Sequence, residues 1–525
     1  MKSLAVLALA VVGACGEPRA SAPPTPLDYA RARVGMVDNR EASVPPMCYT
    51  ATGGTSNPCW VCHTKGQGRT FLDDGEVQES YAFSDEARTN HWTNLFVDRR
   101  PFIASVSDDE ILRWARTDNY APLRSAMAAL PASYHGFRPD LDLARGFDAD
   151  GFARDGSGWR ALRFQPFLGA FWPTNGSTSD GFIRLPAEFR TTPALYRLNL
   201  SIVEAAISVE DYASKRVDRA VEPVDEWLLG FDLDGDGALG IAARIRKLPP
   251  HYAGKAASIA VVAQSYPLGT ELLHSVRYLD PDAPTQMAAR MKELRYMRKV
   301  ENPDDWGRLR AYEREANEKA EGHLPKYQGD IEMGFLTPWG WQLQGYIEDA
   351  RGALRVQTDE EHRFCMGCHG NIGVTIDHVF SFTRKVPGAD GWRPQDLRGL
   401  HDRAEVGHAA PELVTYFTRV QGGDERRSNE ELLARFVPNG QVAEAELRRA
   451  AVGGDRDLAW ALFPTRGRAL ALDKAYLAVV REQSYTRGRD AVLAPAKRVH
   501  PRIDSVETGI REPHRDGRLQ LDWSH

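Results

Sequence analysis

Two short segments hold four of the six cysteines of the chain in the same pattern. Cys59-Trp60-Val61-Cys62-His63 and Cys365-Met366-Gly367-Cys368-His369 each carry two thiols three positions apart, with a histidine directly after the second thiol. Such groups ligate metals, form disulfides or exchange disulfides. The segments lie about 300 residues apart, whereas the cysteine pairs of a zinc ribbon are about 15–20 residues apart. No strand–helix–strand pattern surrounds either segment, so a thioredoxin-like pair is not expected.

Both segments resemble the C-x-x-C-H haem-attachment sites of c-type cytochromes. The resemblance implies that the two thiols bond to the vinyl groups along one porphyrin edge and that the adjacent histidine ligates the iron. By this resemblance Cys59, Cys62 and His63 hold one haem c, and Cys365, Cys368 and His369 hold a second. The resemblance covers these ten residues only. The remaining thiol of the mature chain, Cys48, is interpreted as a small buried apolar side chain.

The sequence leaves the sixth ligand of each iron open. In small c-type cytochromes a methionine some tens of residues after the motif fills this position, and Met127 has that spacing from His63. For the first haem the alternatives are His274, His91 and His135. No methionine follows His369, so the second haem needs a histidine, an upstream ligand such as Met333, or an open position. The preferred candidate is His378, in an apolar setting nine residues after His369, with His401 and His408 as alternatives.

An acidic loop later in the chain resembles half of a calcium site. Asp232, Asp234 and Asp236 occupy positions 1, 3 and 5 of an EF-hand-like loop, with Gly237 at position 6. Position 12, which supplies a bidentate glutamate in an EF-hand, is Ala243. Two alternatives follow: a looser Ca²⁺ site completed by a remote carboxylate such as Asp225 or Glu226, or a solvated Asp-Gly turn.

The first residues predict export. Lys2 precedes a short apolar run over 4–12, which is too short to span a bilayer. Val12-Gly13-Ala14-Cys15 resembles a bacterial lipobox, which implies cleavage before Cys15 and lipidation of its thiol. Gly16, in place of Asp, favours the periplasmic side of the outer membrane by the same resemblance. An ordinary signal peptide followed by a soluble periplasmic protein is the alternative.

Composition and charge exclude several other classes of protein. The chain has 525 residues, of which 42% are hydrophobic, enough for more than one core. Its net charge is −6 and it lacks a basic stripe, so no nucleic-acid partner is expected. We expect a lipoprotein signal peptide at 1–14, a Pro/Ala tether at 15–27, a first haem region at 28–145, a middle region without a haem motif at 146–330 and a second haem region at 331–525.

The expected fold is mainly α with loop-rich and minor β segments, and cytochrome c-like haem regions flank the larger middle region. Ser107 and Glu110 predict a capping box that opens a helix over 108–116. Apolar and charged periodicity predicts further helices over 122–130, 285–300, 304–321, 429–436 and 473–481. The aromatic, glycine-rich residues 164–183 predict strands and turns.

Three functions fit these residues. The first is a periplasmic electron carrier with two haems c, which exchanges electrons with redox partner proteins and touches the membrane only through its lipid. The second is a di-haem enzyme, similar to the cytochrome c peroxidase and MauG group, with one transfer haem and one open, reactive haem. The third is a binding or assembly lipoprotein whose haems are structural or sensory. A five-coordinate haem that binds cyanide or reacts with peroxide would favour the enzyme.

Overall fold

A computed structural model of the chain describes residues 25–51, 61–62, 83–321, 323, 326–370, 376–420, 425–504 and 520–523. Cys62 and all residues of the second motif fall within this part. Cys15, Cys59 and His63 lie outside the described residues, so the predictions for these three rest on the sequence.

The described residues contain fourteen α-helical segments. They are α1 Asp28–Arg31, α2 Arg100–Ser105, α3 Asp108–Arg116, α4 Tyr120–Ala128, α5 Pro193–Ile207, α6 Asp305–Ala320, α7 Asp359–Arg363, α8 Met366–His369, α9 Ser381–Arg384, α10 Glu412–Val420, α11 Glu430–Phe436, α12 Glu444–Leu447, α13 Leu458–Leu462 and α14 Arg466–Glu482. The predicted helix over 108–116 is confirmed, and the Ser107 side chain accepts a hydrogen bond from the Glu110 backbone N–H at its start. The helices predicted near 122–130, 304–321, 429–436 and 473–481 are confirmed with shifted ends.

The same part of the chain contains ten strands. They are β1 Arg160–Leu162, β2 Thr178–Arg184, β3 Arg219–Asp225, β4 Ile241–Ile245, β5 Glu271–Leu279, β6 Met287–Lys299, β7 Gln328–Asp330, β8 Gly334–Leu336, β9 Trp341–Glu348 and β10 Leu354–Val356. Eight of them form one antiparallel sheet in the order β1-β2-β5-β6-β9-β8-β7, with β10 paired to β9. β3 and β4 form a separate antiparallel pair. Most of the expected helices are present, but the strands are more extensive than the expected minor β segments, and the fold is mixed α and β.

The largest single error concerns residues 285–300, for which the sequence predicts a helix. These residues instead form the 13-residue strand β6 in the middle of the sheet. Met287, Met291 and Leu294 have helical spacing, but a central strand is covered on both faces and so lacks the alternation that marks a half-exposed strand. The charged residues of β6 hide the pattern further, since Lys292 and Glu293 are both buried.

The two faces of the sheet pack against different groups of residues. On one face Phe182, Leu273, Leu294 and Tyr346 join a core cluster that includes Met127 of α4. On the other face Ile183, Leu272 and Leu343 belong to a second cluster, which continues into α5. A third cluster is built mainly from α10, α11 and α13, and it contains Cys62. Cys365 packs against the second cluster and Cys368 against the third, so the second motif lies at their junction.

The sheet also joins parts of the chain that are distant in sequence. β9 pairs with β6 from Glu293↔Ile347 to Lys299↔Trp341. The domain boundary predicted between residues 330 and 331 falls directly after β7, in the turn that leads to β8. Residues assigned to the middle and to the second haem region therefore contribute neighbouring strands.

Candidate functional site

A cavity of about 310 Å³ lies beside the second cysteine motif. Cys365, Cys368 and His369 all line it, together with His274 of β5. The two cysteines and His369 are only partly buried because they face this space. The volume is at the lower end of the range of about 300–1,000 Å³ that ligand pockets occupy.

Helix α7 fixes the start of the second motif. Thr358 and Glu361 form a capping box at its N-terminus. Glu361 also accepts two hydrogen bonds from the Arg355 guanidinium, at 2.8 and 2.9 Å, in a buried bidentate ion pair. At the other end of α7, the Nε2 atom of His362 accepts a hydrogen bond of 2.9 Å from the Gly345 backbone N–H on β9. Cys365, two residues after α7, is thereby held next to β9, an interior strand of the sheet.

Gly367, between the two cysteines, permits a close approach of another segment. A Cβ atom at this position would lie 2.5 Å from the carbonyl oxygen of Ser43 and 2.8 Å from Cγ of Pro45. Real Cβ atoms do not approach backbone that closely. Residues 43–45 therefore cover the turn between Cys365 and Cys368, and the adjacent Pro46 and Met47 continue into the lining of the cavity.

The imidazole of His369 has one nitrogen fixed by the backbone. Its Nδ1 atom lies 3.0 Å from the carbonyl oxygen of His378, and Nδ1 of His378 lies 3.3 Å from the carbonyl oxygen of His369. A donated Nδ1–H leaves Nε2 of His369 unprotonated, which is the form and orientation that metal-ligating histidines adopt. Burial lowers the pKa of His369 to about 4, so the ring is neutral at pH 7.

His274 of β5 lines the same cavity as the motif and belongs to the sheet. The register aligns Gly181, His274, Arg295 and Gly345 in one row across β2, β5, β6 and β9. Gly181 leaves space beside His274 at one end of the row, whereas the Gln357 side chain occupies the space beside Gly345 at the other end. Burial lowers the pKa of His274 to about 3, and the nearby charges of Arg295 and His369 act on it as well. His274 and His369 are therefore close enough to interact electrostatically.

The two motifs meet at their second cysteines. A hydrogen bond from the Cys62 thiol lowers the pKa of the Cys368 thiol. Cys62 is 5% exposed and packs in the same cluster as Trp92 and Leu168. Segments about 300 residues apart in the chain are thus in direct contact, which sequence spacing alone did not predict.

The remaining cavity walls are aromatic and cationic. The aromatic side chains are Phe164, Phe167, Phe171, Phe364 and Phe380. Glu293 accepts from Arg295 at 2.9 Å and from Arg489 at 3.2 Å, so two guanidinium groups share one carboxylate. Buried charges are ordinarily balanced, and this trio has one positive charge in excess. The cavity therefore suits a flat apolar ligand that carries carboxylates.

The other residues predicted as sixth ligands do not line this cavity; Met127, His91 and His135 were predicted for the haem of His63, which lies outside the described residues, and for that haem they stay predictions. His378 is 1% exposed, packs on Trp339 with ring centroids 4.7 Å apart, and does not line the cavity. Met127 is fully buried in the cluster on the opposite face of the sheet, and Met333 is 40% exposed. None of the alternatives His91, His135, His401 and His408 is among the described residues that line the cavity. Met47 and Met297 do line it, and the sequence reasoning missed both as ligands because it considered few positions upstream of a motif.

Comparison with known proteins places the chain in a family. A family model described as "-like lipoprotein" matches residues 87–433. An uncharacterized lipoprotein of Aquifex aeolicus (strain VF5) is 31% identical over 90% of this chain and 91% of its own length. The chain belongs to this lipoprotein family. No solved structure matches the lipoprotein, so its predicted cytochrome c-like regions receive no support from known folds.

Membership in the family confirms the lipoprotein prediction at a coarse level. The lipoprotein is an exported protein with a lipid anchor, in agreement with the lipobox at Val12–Cys15. Among its described helices, none is long and apolar enough to cross a membrane. Neither description names a cofactor, so the haem hypothesis rests on the residues and their geometry.

The acidic loop brings part of the predicted calcium site together. Carboxylate oxygens of Glu226, Asp232 and Asp234 lie within 4.8 Å of one another, and Asp236 is not part of this group. Glu226, rather than Asp225, is the remote carboxylate that joins them. Lys247 already contacts Asp232 at 3.2 Å, and backbone N–H groups of the loop donate to the carboxylates. Calcium binding stays a prediction.

Proposed function

We propose that the lipoprotein carries two covalently attached haems c and transfers electrons between redox partner proteins on the periplasmic side of the bacterial outer membrane. The observation that carries this proposal is the cavity to which Cys365, Cys368 and His369 all contribute. Covalent attachment of a haem requires two thiols and an imidazole on one wall of a space that can accept the ring. The second motif has this arrangement.

The residues around the cavity fit a haem group. Cys365 and Cys368 would form the two thioether bonds, and Nε2 of His369 would ligate the iron while Nδ1 donates to the carbonyl oxygen of His378. The phenylalanine side chains would contact the apolar faces of the ring. Arg295 and Arg489, which share Glu293, would pair with a propionate carboxylate. When bound, the haem iron supplies a one-electron couple.

The contact between Cys62 and Cys368 supports electron transfer in particular. Both thiols belong to attachment motifs, so porphyrin edges bonded to them would lie side by side. Electron exchange between two centres is fastest when their edges are close. The surrounding apolar cluster excludes water from this junction, because Val61, Trp92 and Leu168 are buried there.

The other hypotheses make different demands on the same site. The di-haem enzyme needs an open iron position and a route for a small oxidant or substrate, and the cavity provides space beside the second motif. The contact between Cys62 and Cys368 is also compatible with a thiolate metal site or a disulfide, but those arrangements leave the aromatic cavity and its cations without a role. A binding or assembly lipoprotein would retain haems that redox partners cannot reduce.

A potentiometric titration of the full chain, produced in a host that attaches haem c, tests the proposal. Visible spectra should show two one-electron steps in the wild type and one step in the C365S/C368S double variant. Cys48→Ser, which removes a thiol outside both motifs, is the matched control and should retain two steps. A protein without a reducible chromophore would contradict the proposal, and a high-spin haem that turns over peroxide would establish the enzyme instead.

A further inference from the structure

The cavity beside the second motif contains a histidine of the sheet in addition to His369. His274 lies in the central part of β5, between β2 and β6, and both neighbours hold it through the antiparallel ladder. Its ring centroid is 5.0 Å from that of Phe171, with the rings 72° apart. A ligand on a central strand is fixed in position more firmly than one on a loop.

The neighbours of His274 leave room for a flat ligand above it. Gly181 on β2 has no side chain, and an added Cβ atom there would meet only Phe164, at 3.5 Å. Arg295 on β6 is turned toward Glu293, at 2.9 Å, and lies over the ring of Phe171 with its Cζ atom 5.0 Å from the ring centroid. In the described part of the chain, Arg295 does not pair with the His274 ring, and Gly181 has no side chain that could.

The other candidates for the sixth ligand of the second haem are placed less favourably than His274. Nδ1 of His378 lies 3.3 Å from the carbonyl oxygen of His369, and the His378 side chain is buried outside the cavity. A sixth ligand must reach the iron directly, which favours a residue that lines the cavity over His378. Met47 and Met297 are the other cavity residues with a suitable donor atom, a thioether sulfur.

We propose that the imidazole of His274 is the sixth ligand of the iron held by His369. The inference rests on the proposed function, since it requires a haem at the second motif. Two neutral imidazoles produce a low-spin iron that is closed to external ligands and has a lower potential than a histidine–methionine pair. The second centre would then be an electron-transfer haem rather than an open, reactive one.

The test uses the full chain with both haems attached and compares spin states of the ferric protein by EPR and visible absorption. In His274→Ala, one of the two haem equivalents should become high-spin, and added imidazole should return it to low spin. His274→Met should stay low-spin and raise the potential of one step. The matched control is His401→Ala, which removes a histidine outside the cavity and should leave both spectra unchanged.

Several results would overturn the assignment without touching the proposed function. If His274→Ala retains two low-spin haems, the ligand is another residue, and a high-spin haem in Met47→Leu would identify Met47. If His378→Ala alone becomes high-spin with imidazole rescue, the ligand is His378. Should His274→Ala fail to fold, His274→Met still decides, because an unchanged potential and spectrum would exclude ligation. A wild type with no haem would instead overturn the proposed function.

Discussion

Gly367 lies in the second motif, and the packing around it leaves no room for a larger residue. It lies between Cys365 and Cys368, and Ser43 and Pro45 occupy the space in which a Cβ atom would stand. Any side chain there must push residues 43–45 outward, and that segment leads to the cavity wall at Met47. The packing of residues 43–45 and the second motif therefore depend on each other, because both require that position 367 has no side chain.

We expect Gly367→Ala to lower the free energy of unfolding by about 1–3 kcal/mol, the usual effect of forcing extra volume into a packed site. Haem content at the second motif should fall with it. Gly467→Ala is the matched control, since nothing lies within 4 Å of a Cβ atom at that helical position, and it should be neutral or slightly stabilising. Denaturant unfolding of the two variants checks this; equal stabilities would contradict the proposed packing.

At the residue scale, the sequence indicates the residues of the second motif more directly than the residues that surround them. Two thiols and a histidine form a local pattern, so Cys365, Cys368 and His369 could be named without a fold. His274 was named only for its apolar neighbours and for the first haem, because nothing in the sequence indicates that β5 lines the same cavity as the second motif. The roles of His362 and Gly367 depend on contacts with Gly345 and Ser43, which no local pattern encodes.

At the scale of elements, β6 and β9 bury several ionisable groups on or beside the sheet. Glu348 of β9 is fully buried; it accepts a hydrogen bond of 2.6 Å from Tyr278 and lies 3.1 Å from the Arg290 guanidinium. Burial nevertheless raises the pKa of Glu348 from 4.5 to about 8, because desolvation outweighs the effects of Arg290 and Tyr278. The group is therefore largely protonated in the folded protein at neutral pH.

This pKa shift predicts a loss of stability as pH rises. Between about pH 4.5 and 8 the folded protein binds a proton at Glu348 that the unfolded chain releases, so the free energy of unfolding falls across that window. Below pH 4.5 Glu348 is protonated in both the folded and the unfolded state, so it no longer contributes to the pH dependence of the free energy of unfolding. Glu348→Gln cannot ionise and should show a smaller fall in Tm between pH 5 and 8. Parallel Tm profiles for wild type and variant would contradict this assignment.

The sequence predicted helices more reliably than strands, and the reason is physical. The helix over 108–116 has a cap, an acidic first turn and a basic last turn, all of which are local. β6 has none of these signals, because its partners β5 and β9 cover both of its sides and its charged residues are buried. Pairing between distant strands depends on tertiary packing that overrides local propensity.

At the scale of the whole molecule, the site is assembled from residues spread along nearly the entire described chain. The cavity is lined by residues from Pro45 to Ala491. The sheet supplies one wall, and the segment before Cys48 and the loops around Arg426 and Arg489 supply others. A haem bonded at the second motif would therefore contact several distant segments at once, and we expect the holo protein to unfold as a unit in this region.

The anchor is the second property of the whole molecule that can be tested. The lipobox predicts that the thiol of Cys15 carries the lipid. Cys15→Ser should move the lipoprotein from the membrane fraction to the soluble periplasmic fraction, with its haem content unchanged. Cys48→Ser is the control and should stay in the membrane fraction. A wild type that is fully soluble after export would show that Cys15 belongs to an ordinary signal peptide.

The central claim, covalent haem at both motifs, is tested most directly by intact mass spectrometry of the denatured full chain. The account predicts the mass of the processed chain plus two haems in the wild type. Cys62→Ser and Cys368→Ser should each leave the haem of that motif with at most one thioether, and C365S/C368S should carry one haem mass. A wild type that carries no haem mass, or that carries zinc on its cysteines instead, would contradict the account.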